Sequence, residues 1–182
     1  MRSGFRRTLR ISGGTFTGLP ALKRDHFLRA GNAYLIARSM WPDQRTAYAV
    51  FLVVACETLK PSGKRYDQAN VYDVVASLIT PSEGELLRGL SVQPQRVRSK
   101  HLHRGELASD ELLPMLIHNP FKDPSFDEMI GELSRVSRVC LIEWLRCRGD
   151  YTLVRLPRSK RTRAASICAT AAAVWRWIIG RS

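Results

Sequence analysis

The segment 46-TAYAVFLVVACETL-59 is apolar on nearly every side when it is projected as a helix. A helix of this kind cannot lie at a surface and must be enclosed by other elements. The chain has 182 residues, which is enough to supply those elements from one sizeable core. The segment therefore predicts a central helix surrounded by other helices.

Helical periodicity recurs along the rest of the chain, and no segment alternates in the way a half-buried strand does. The predicted helices cover residues 27–40, 46–59, 69–79, a short stretch after Ser82, 94–102, 110–117 and 126–147. We therefore predict an all-α fold, a bundle of about five to six core helices joined by short loops.

Local signals predict where several of these helices begin and end. The segments 82-SEGE-85 and 125-SFDE-128 are typical capping boxes, with the serine as N-cap and the glutamate three residues later. Pro94 suits the first turn of a helix, and Gly105 suits the left-handed residue that follows a helix end. These signals predict that the segment from 94 to 105 is a separate short helix.

The net charge of +13 lies entirely in the two ends of the chain. Residues 1–24 contain six basic residues and residues 151–182 contain seven, without any acid, whereas residues 25–150 are neutral. We predict a flexible basic arm over 1–24, a helical domain over 25–150, and a basic C-terminal extension with a short apolar helix over 151–182. Such extensions attract nucleic acid first and acidic membrane surfaces second, or serve only as solubilising ends.

The four cysteines do not predict a zinc site or a disulfide framework. None of the pairs among Cys56, Cys140, Cys147 and Cys168 has C-x2-C spacing, so we expect reduced, buried thiols in a cytoplasmic protein. The apolar run at 164–175 is shorter than the roughly twenty residues of a membrane span, so no span is predicted, and a membrane is not among the expected partners.

The segment 96-RVRSKHLHRGEL-107 is the strongest candidate for chemistry. Arginine holds phosphate by a charge-assisted fork, and histidine exchanges protons near neutral pH, so Arg98 and His103 could together serve RNA cleavage without a metal. A solvated basic turn is the alternative. His101 and His103 form an H-x-H pair without further ligands at helical spacing, so no metal is predicted.

Glu57 is a second candidate, because an unpaired carboxylate is costly in an apolar helix. It needs a partner, and Arg98 or His103 would suit. Alternatively, Glu57 lies near the helix end and reaches solvent or a structural arginine.

The sequence resembles the HEPN domains, in particular their Apea-like branch, over roughly residues 25–148. The segment 97-VRSKHLHRGEL-107 is similar to the family element R-(N/S)-x-x-x-H-x-G. The helix ending 52-LVVACETLKP-61, the helix 71-VYDVVASLI-79 and the long amphipathic helix that follows also match.

The resemblance implies a metal-independent endoribonuclease, a toxin or defence effector, that acts as a homodimer with a composite cleft. Arg98 would then stabilise the phosphate, His103 would act as acid or base, and Glu57 would support them. RNA would be bound by Ser99, Lys100, His101 and Arg104. No cofactor is expected, and a cognate antitoxin or other protein is a further expected partner. A non-catalytic HEPN-like module that binds nucleic acid or protein is the alternative.

Overall fold

The most apolar helix lies at the centre of the structure. The computed structural model describes residues 16–107 and 124–157. The α-helices among them are α1 (Ala21–Met40), α2 (Arg45–Thr58), α3 (Val71–Leu78), α4 (Pro81–Gly89), α5 (Pro94–Arg104) and α6 (Pro124–Arg146). Helix α2 packs against α1, α3, α5 and α6, as its apolar sequence predicts. The predicted all-α bundle is confirmed.

Aromatic and aliphatic side chains from α1, α2, α3 and α6 form one core. Trp144 of α6 is buried, its indole stacks on Phe27 of α1, and its Nε1 donates to the carbonyl oxygen of Leu59 at 3.2 Å. Tyr48 of α2 donates to Ser134 of α6 at 2.9 Å. These contacts fix α1 and α6 against α2, so that the remaining faces of α2 are available to α3 and α5.

Helices α1 and α6 begin six and two residues before the predicted positions. Helix α1 begins at Ala21 rather than 27, because its first turns carry polar residues that show no apolar period, so residues 21–24 are helical instead of forming part of a flexible arm. Helix α6 begins at Pro124, which fits a first helical turn. Ser125 therefore lies inside the helix and is not its N-cap.

The predicted cap of the short helix after Ser82 is also wrong. Thr80 is the N-cap of α4, its Oγ1 accepts from the backbone N–H of Glu83, and Pro81 occupies the first helical position. Glu85 pairs with Arg88 instead of closing a capping box. A capping box that the sequence analysis missed begins α3, where Asn70 and Asp73 bond each other's backbone N–H groups.

Residues 151–157 form an extended strap across α3. The hydroxyl of Tyr151 donates to Leu59, and the N–H groups of Val154 and Leu156 donate to Ser77 Oγ and Asp73 Oδ1. Arg88 donates to the carbonyl oxygen of Pro157 at 2.7 Å. The first seven residues of the predicted C-terminal extension therefore belong to the folded domain.

The remaining predictions concern residues that the structure does not describe. These are the helix at 110–117, the N-terminal arm up to residue 15, and the extension from 158, including Cys168. Of the described cysteines, Cys56 and Cys140 are buried and Cys147 is half-buried, and all three are free thiols. Within the described part of the chain, no helix has the length and apolar character that a membrane crossing needs.

Candidate functional site

Helix α5 carries the candidate residues and lies against α2. Pro94 is buried at its first position and Val97 packs on the core, so these residues define the inner face of the helix. Gly105 follows the helix with φ 65°, and its N–H donates to the carbonyl oxygen of His101. The predicted left-handed stop at Gly105 is therefore present, and the helix ends at Arg104, two residues beyond the predicted end.

The inner face of α5 brings Arg98 to Glu57. Arg98 Nε lies 3.5 Å from Glu57 Oε2, and the two side chains are 31% and 13% exposed. Arg98 Nε is inaccessible to solvent and lacks a hydrogen bond among the described residues, so the contact is an ion pair without good hydrogen-bond geometry. Glu57 is thus paired with Arg98, one of the two partners predicted for it.

His103 lies on a different side of α5. Five residues separate it from Arg98, which corresponds to about 140° of rotation and 7.5 Å of rise along a helix. His103 is exposed, and none of the interactions among the described residues joins it to Arg98 or Glu57. One chain therefore brings together only two of the three predicted catalytic residues.

The outward face of α5 is basic. His103 lies one helical turn from both Ser99 and Lys100, and these exposed side chains are flanked by the exposed side chains of Arg96 and Arg104. Three of these five residues are ones predicted to bind RNA. Because these cationic side chains project into solvent from one side of the helix, they are suited to contact successive phosphates of a polyanion.

Glu106 neutralises part of this basic face. Its Oε2 lies 3.0 Å from Lys100 Nζ, and its Oε1 lies 3.5 Å from Arg104 Nη1. The hydrogen bond and charge of Lys100, followed by those of Arg104, hold the pKa of the Glu106 carboxyl below its usual value of 4.5. The carbonyl oxygen of Glu106 also contacts His101 Nδ1 at 3.2 Å. His101 is therefore turned toward the loop and away from the outward face.

Three further residues lie in or beside α5 that the sequence had not predicted there: Glu106, Tyr72 and Gln95. Tyr72 of α3 is buried, and its hydroxyl accepts from the N–H of Gln95 at 3.4 Å. Burial raises the pKa of the Tyr72 phenol. The contacts of Glu106 could have been predicted from its position next to the glycine that ends a cationic helix. The contact between Tyr72 and Gln95 depends on tertiary packing and could not.

The described side chains do not form a metal centre. Across residues 16–107 and 124–157, no three histidine, cysteine or carboxylate side chains come together at ligand distance. The chemistry available at α5 is therefore that of a guanidinium, an imidazole and carboxylates.

Comparison with known proteins does not show a family for this chain. No protein-family model matches the chain, and neither curated proteins nor solved structures gave a significant match. The geometry of α5 and the R-x4-H-x-G pattern that it carries are therefore the basis for assigning a function to this chain.

Proposed function

We propose that the chain is a HEPN-type, metal-independent endoribonuclease whose site is built on α5. The observation that carries the proposal is the contact of Glu57 on α2 with Arg98, which lies on the same helix, α5, as the exposed His103. A carboxylate in an apolar helix orients one arginine, and an accessible histidine lies close by on the chain. The R-x4-H-x-G pattern supplies these residues in the order that the family uses.

The proposed reaction needs no group beyond these side chains and the RNA itself. An imidazole takes the proton of a ribose 2′-hydroxyl, whose oxygen then attacks the adjacent phosphorus. The bond from phosphorus to the 5′-oxygen breaks, and an imidazolium returns a proton to that oxygen. A guanidinium stabilises the charge that develops on the phosphoryl oxygens. The products carry 2′,3′-cyclic phosphate and 5′-hydroxyl ends.

The separation of Arg98 and His103 around α5 favours a site assembled from two chains. Because the two side chains leave the helix about 140° apart, one copy does not direct both at the same phosphate. A second copy could supply the missing group if its α5 faced the first across a two-fold axis. This agrees with the homodimer that the family resemblance implies.

The test is cleavage of a mixed-sequence RNA in EDTA by the full chain. We expect wild type to release cyclic phosphate ends, and both Arg98→Ala and His103→Ala to lose this activity. Arg138→Ala is the matched control, because it removes an exposed arginine from α6. Equal cleavage by His103→Ala and wild type would show that His103 does not have the assigned role.

A non-catalytic nucleic-acid-binding module is the second candidate. It is favoured by the ion pair between Arg98 and Glu57, which directs Arg98 toward the bundle. The outward basic face of α5 would then bind phosphates without Arg98. This function predicts salt-sensitive RNA binding that survives Arg98→Ala and His103→Ala. It also predicts that binding weakens when the basic residues within 1–15 and 158–182 are removed, a truncation that keeps the strap. Stable binding without cleavage by the folded wild type would favour this function over the first.

A further inference from the structure

Helix α1 carries large apolar side chains on the side that faces solvent. Its buried residues are Ala30, Ala33 and Ala37, whereas Leu28 is 54% and Leu35 is 67% exposed. A surface helix of a globular protein usually directs its leucines toward the core. A spacing of seven returns to nearly the same side of a helix, about 10.5 Å further along its axis. The two leucines therefore form a short apolar ridge on the outer side of α1.

The exposed apolar surface of the domain is concentrated on this helix. Eight large apolar side chains are exposed among the described residues, and four of them belong to α1 or follow it directly: Leu22, Leu28, Leu35 and Trp41. The other four are divided between α4, α5, the segment after Gly105 and the strap. Single exposed apolar residues are ordinary on a protein surface, whereas a group of them on one element indicates a contact site.

The unpaired charge beside the ridge is positive. Arg24 and Arg38 lie one helical turn beyond the ridge at its two ends, and both are exposed. Neither arginine forms an ion pair within the part of the chain that the structure describes. Asp25, the only acid in α1, is paired with Arg29 at 2.8 Å. The outer side of α1 therefore combines apolar groups with free cations and suits an anionic partner that also offers apolar groups.

The outward position of the ridge limits what can cover it. A Cβ atom placed on Gly31, between the leucines, would meet nothing within 4 Å, so no described residue forms a wall beside them. Phosphates of a nucleic acid would satisfy the arginines but leave the leucines in water. A protein partner would need a matching groove, whereas lipids rearrange around a projecting ridge.

We propose that the outer side of α1 binds the surface of a membrane that contains anionic lipids. Leu28 and Leu35 enter the boundary between headgroups and acyl chains. Arg24 and Arg38 contact lipid phosphates, because a long arginine side chain reaches the headgroups from beside a buried apolar residue. The helix lies parallel to the membrane plane, since these four side chains are distributed along its length.

This partner differs from those expected from the sequence. The apolar run at 164–175 is too short to span a membrane, but binding at the surface requires no span. Residues 1–15 contain four arginines and no acid, and their charge adds to the attraction. The inference does not depend on catalysis by α5. Its tests contain no RNA, so its failure is distinguishable from failure of the proposed function.

The first experiment places an environment-sensitive probe on the ridge of the full chain. Asn32 is exposed between the two leucines, so Asn32→Cys in a Cys147→Ser, Cys168→Ser background can carry a nitrobenzoxadiazole group, and the two buried cysteines stay unlabelled. Its emission should shift to the blue on vesicles of phosphatidylcholine mixed with phosphatidylglycerol, but not on phosphatidylcholine alone. Leu86→Cys, exposed on α4, is the matched control whose emission should stay unchanged.

The second experiment measures co-sedimentation of full-chain variants with the same anionic vesicles. The double variant Leu28→Ser, Leu35→Ser should weaken binding at least about tenfold, because both apolar contacts are lost. Arg24→Gln and Arg38→Gln should each weaken binding about fivefold, because each removes one cation from the lipid surface.

Two exposed residues outside α1 supply the matched controls for co-sedimentation. Leu86→Ser and Arg138→Gln remove the same chemical groups from α4 and α6. Both variants should bind the vesicles as tightly as wild type. Circular dichroism would establish that every variant is folded.

Three outcomes would overturn the proposal. One is a wild-type chain that does not bind vesicles containing phosphatidylglycerol. Another is binding that is unchanged in the leucine and arginine variants, which would assign it to basic residues outside α1. The third is blue-shifted emission of the probe at Asn32 without vesicles, which would show that another part of the chain or a second copy covers the ridge.

Discussion

Glu57 on α2 and Arg98 on α5 form an ion pair, with 3.5 Å between Glu57 Oε2 and Arg98 Nε. Glu57 is the only carboxylate in α2, and the helix is otherwise almost entirely apolar. The pair therefore links the central helix to the helix that carries the R-x4-H-x-G pattern. It also gives Arg98 a defined direction, toward the bundle and away from the exposed His103.

Replacing Glu57 by glutamine should reduce cleavage and stability together. The neutral amide leaves the guanidinium of Arg98 without its counter-charge in a half-buried position, which we expect to cost about 1–3 kcal/mol of unfolding free energy. A less well-oriented Arg98 should lower kcat/KM for RNA at least about tenfold. Urea denaturation and the EDTA cleavage assay would measure the two effects.

Glu85→Gln is the matched control for this variant. Glu85 forms an exposed ion pair with Arg88 within α4, so its loss should change stability by no more than about 0.5 kcal/mol. If Glu57→Gln were as active and as stable as Glu85→Gln, the ion pair with Arg98 would have no role in either property.

Replacing Glu106 by glutamine should strengthen RNA binding. The carboxylate contacts both Lys100 and Arg104, and its removal frees both cations for phosphate. We expect affinity to rise up to about fivefold at low salt, and the dependence on salt concentration to become steeper. Fluorescence anisotropy at several salt concentrations would measure both quantities. Unchanged affinity in Glu106→Gln would show that the outward face of α5 does not contact RNA.

His26 should make folding less favourable as the solution becomes acidic. Its ring packs edge-on against Trp144, and burial, then the charge of Arg29, lower its pKa below the usual 6.5, with a smaller opposing effect of Asp25. Because the folded chain holds this proton less tightly than the unfolded chain, the contribution of His26 is full above pH 6.5 and is lost as pH falls toward its lowered pKa. Urea midpoints of wild type and His26→Gln at pH 5 and 7.5 would test this. The difference between the two proteins should depend on pH, and a constant difference would contradict the prediction.

Gly149→Ala should destabilise the fold strongly. Gly149 has φ +69°, and an added Cβ would lie 2.5 Å from Cζ2 of the buried Trp144. Left-handed strain and overpacking together should reduce the unfolding free energy by about 2–4 kcal/mol. Gly131→Ala on the exposed side of α6 is the control and should stabilise by about 0.5–1 kcal/mol, because a Cβ there meets nothing. Equal melting temperatures for the two variants would contradict the assigned strain.

The sequence predicted the helices where apolar periodicity is strong and missed their ends where it is absent. The core of α2 and the stop at Gly105 followed directly from residue type. The first turns of α1 were missed because Lys23, Arg24 and Asp25 face solvent or pair with other polar groups, so they carry no periodic signal. Thr80 and Ser82 are both good N-cap residues. Only Pro81, which suits the first helical position, indicates that Thr80 is the cap.

For the candidate site, the sequence predicted the residue types but not all of their directions. A carboxylate in an apolar helix required a partner, which made the contact of Glu57 with Arg98 a reasonable expectation. The divergence of Arg98 and His103 follows from helical geometry once α5 is known to be regular as far as Arg104. The contact of Glu106 with Lys100 and Arg104 depends on how the chain turns after Gly105, which residue spacing does not determine.

The strap over 151–157 sets the smallest unit of the chain that can be expected to fold. A protein cut after residue 150 would keep every helix described above. It would lose the backbone N–H groups of Val154 and Leu156, which donate to Ser77 and Asp73. It would also uncover the apolar surface that Leu153 and Leu156 bury. We therefore expect a C-terminal deletion to be tolerated when it begins at 158 and to cause insolubility when it begins seven residues earlier.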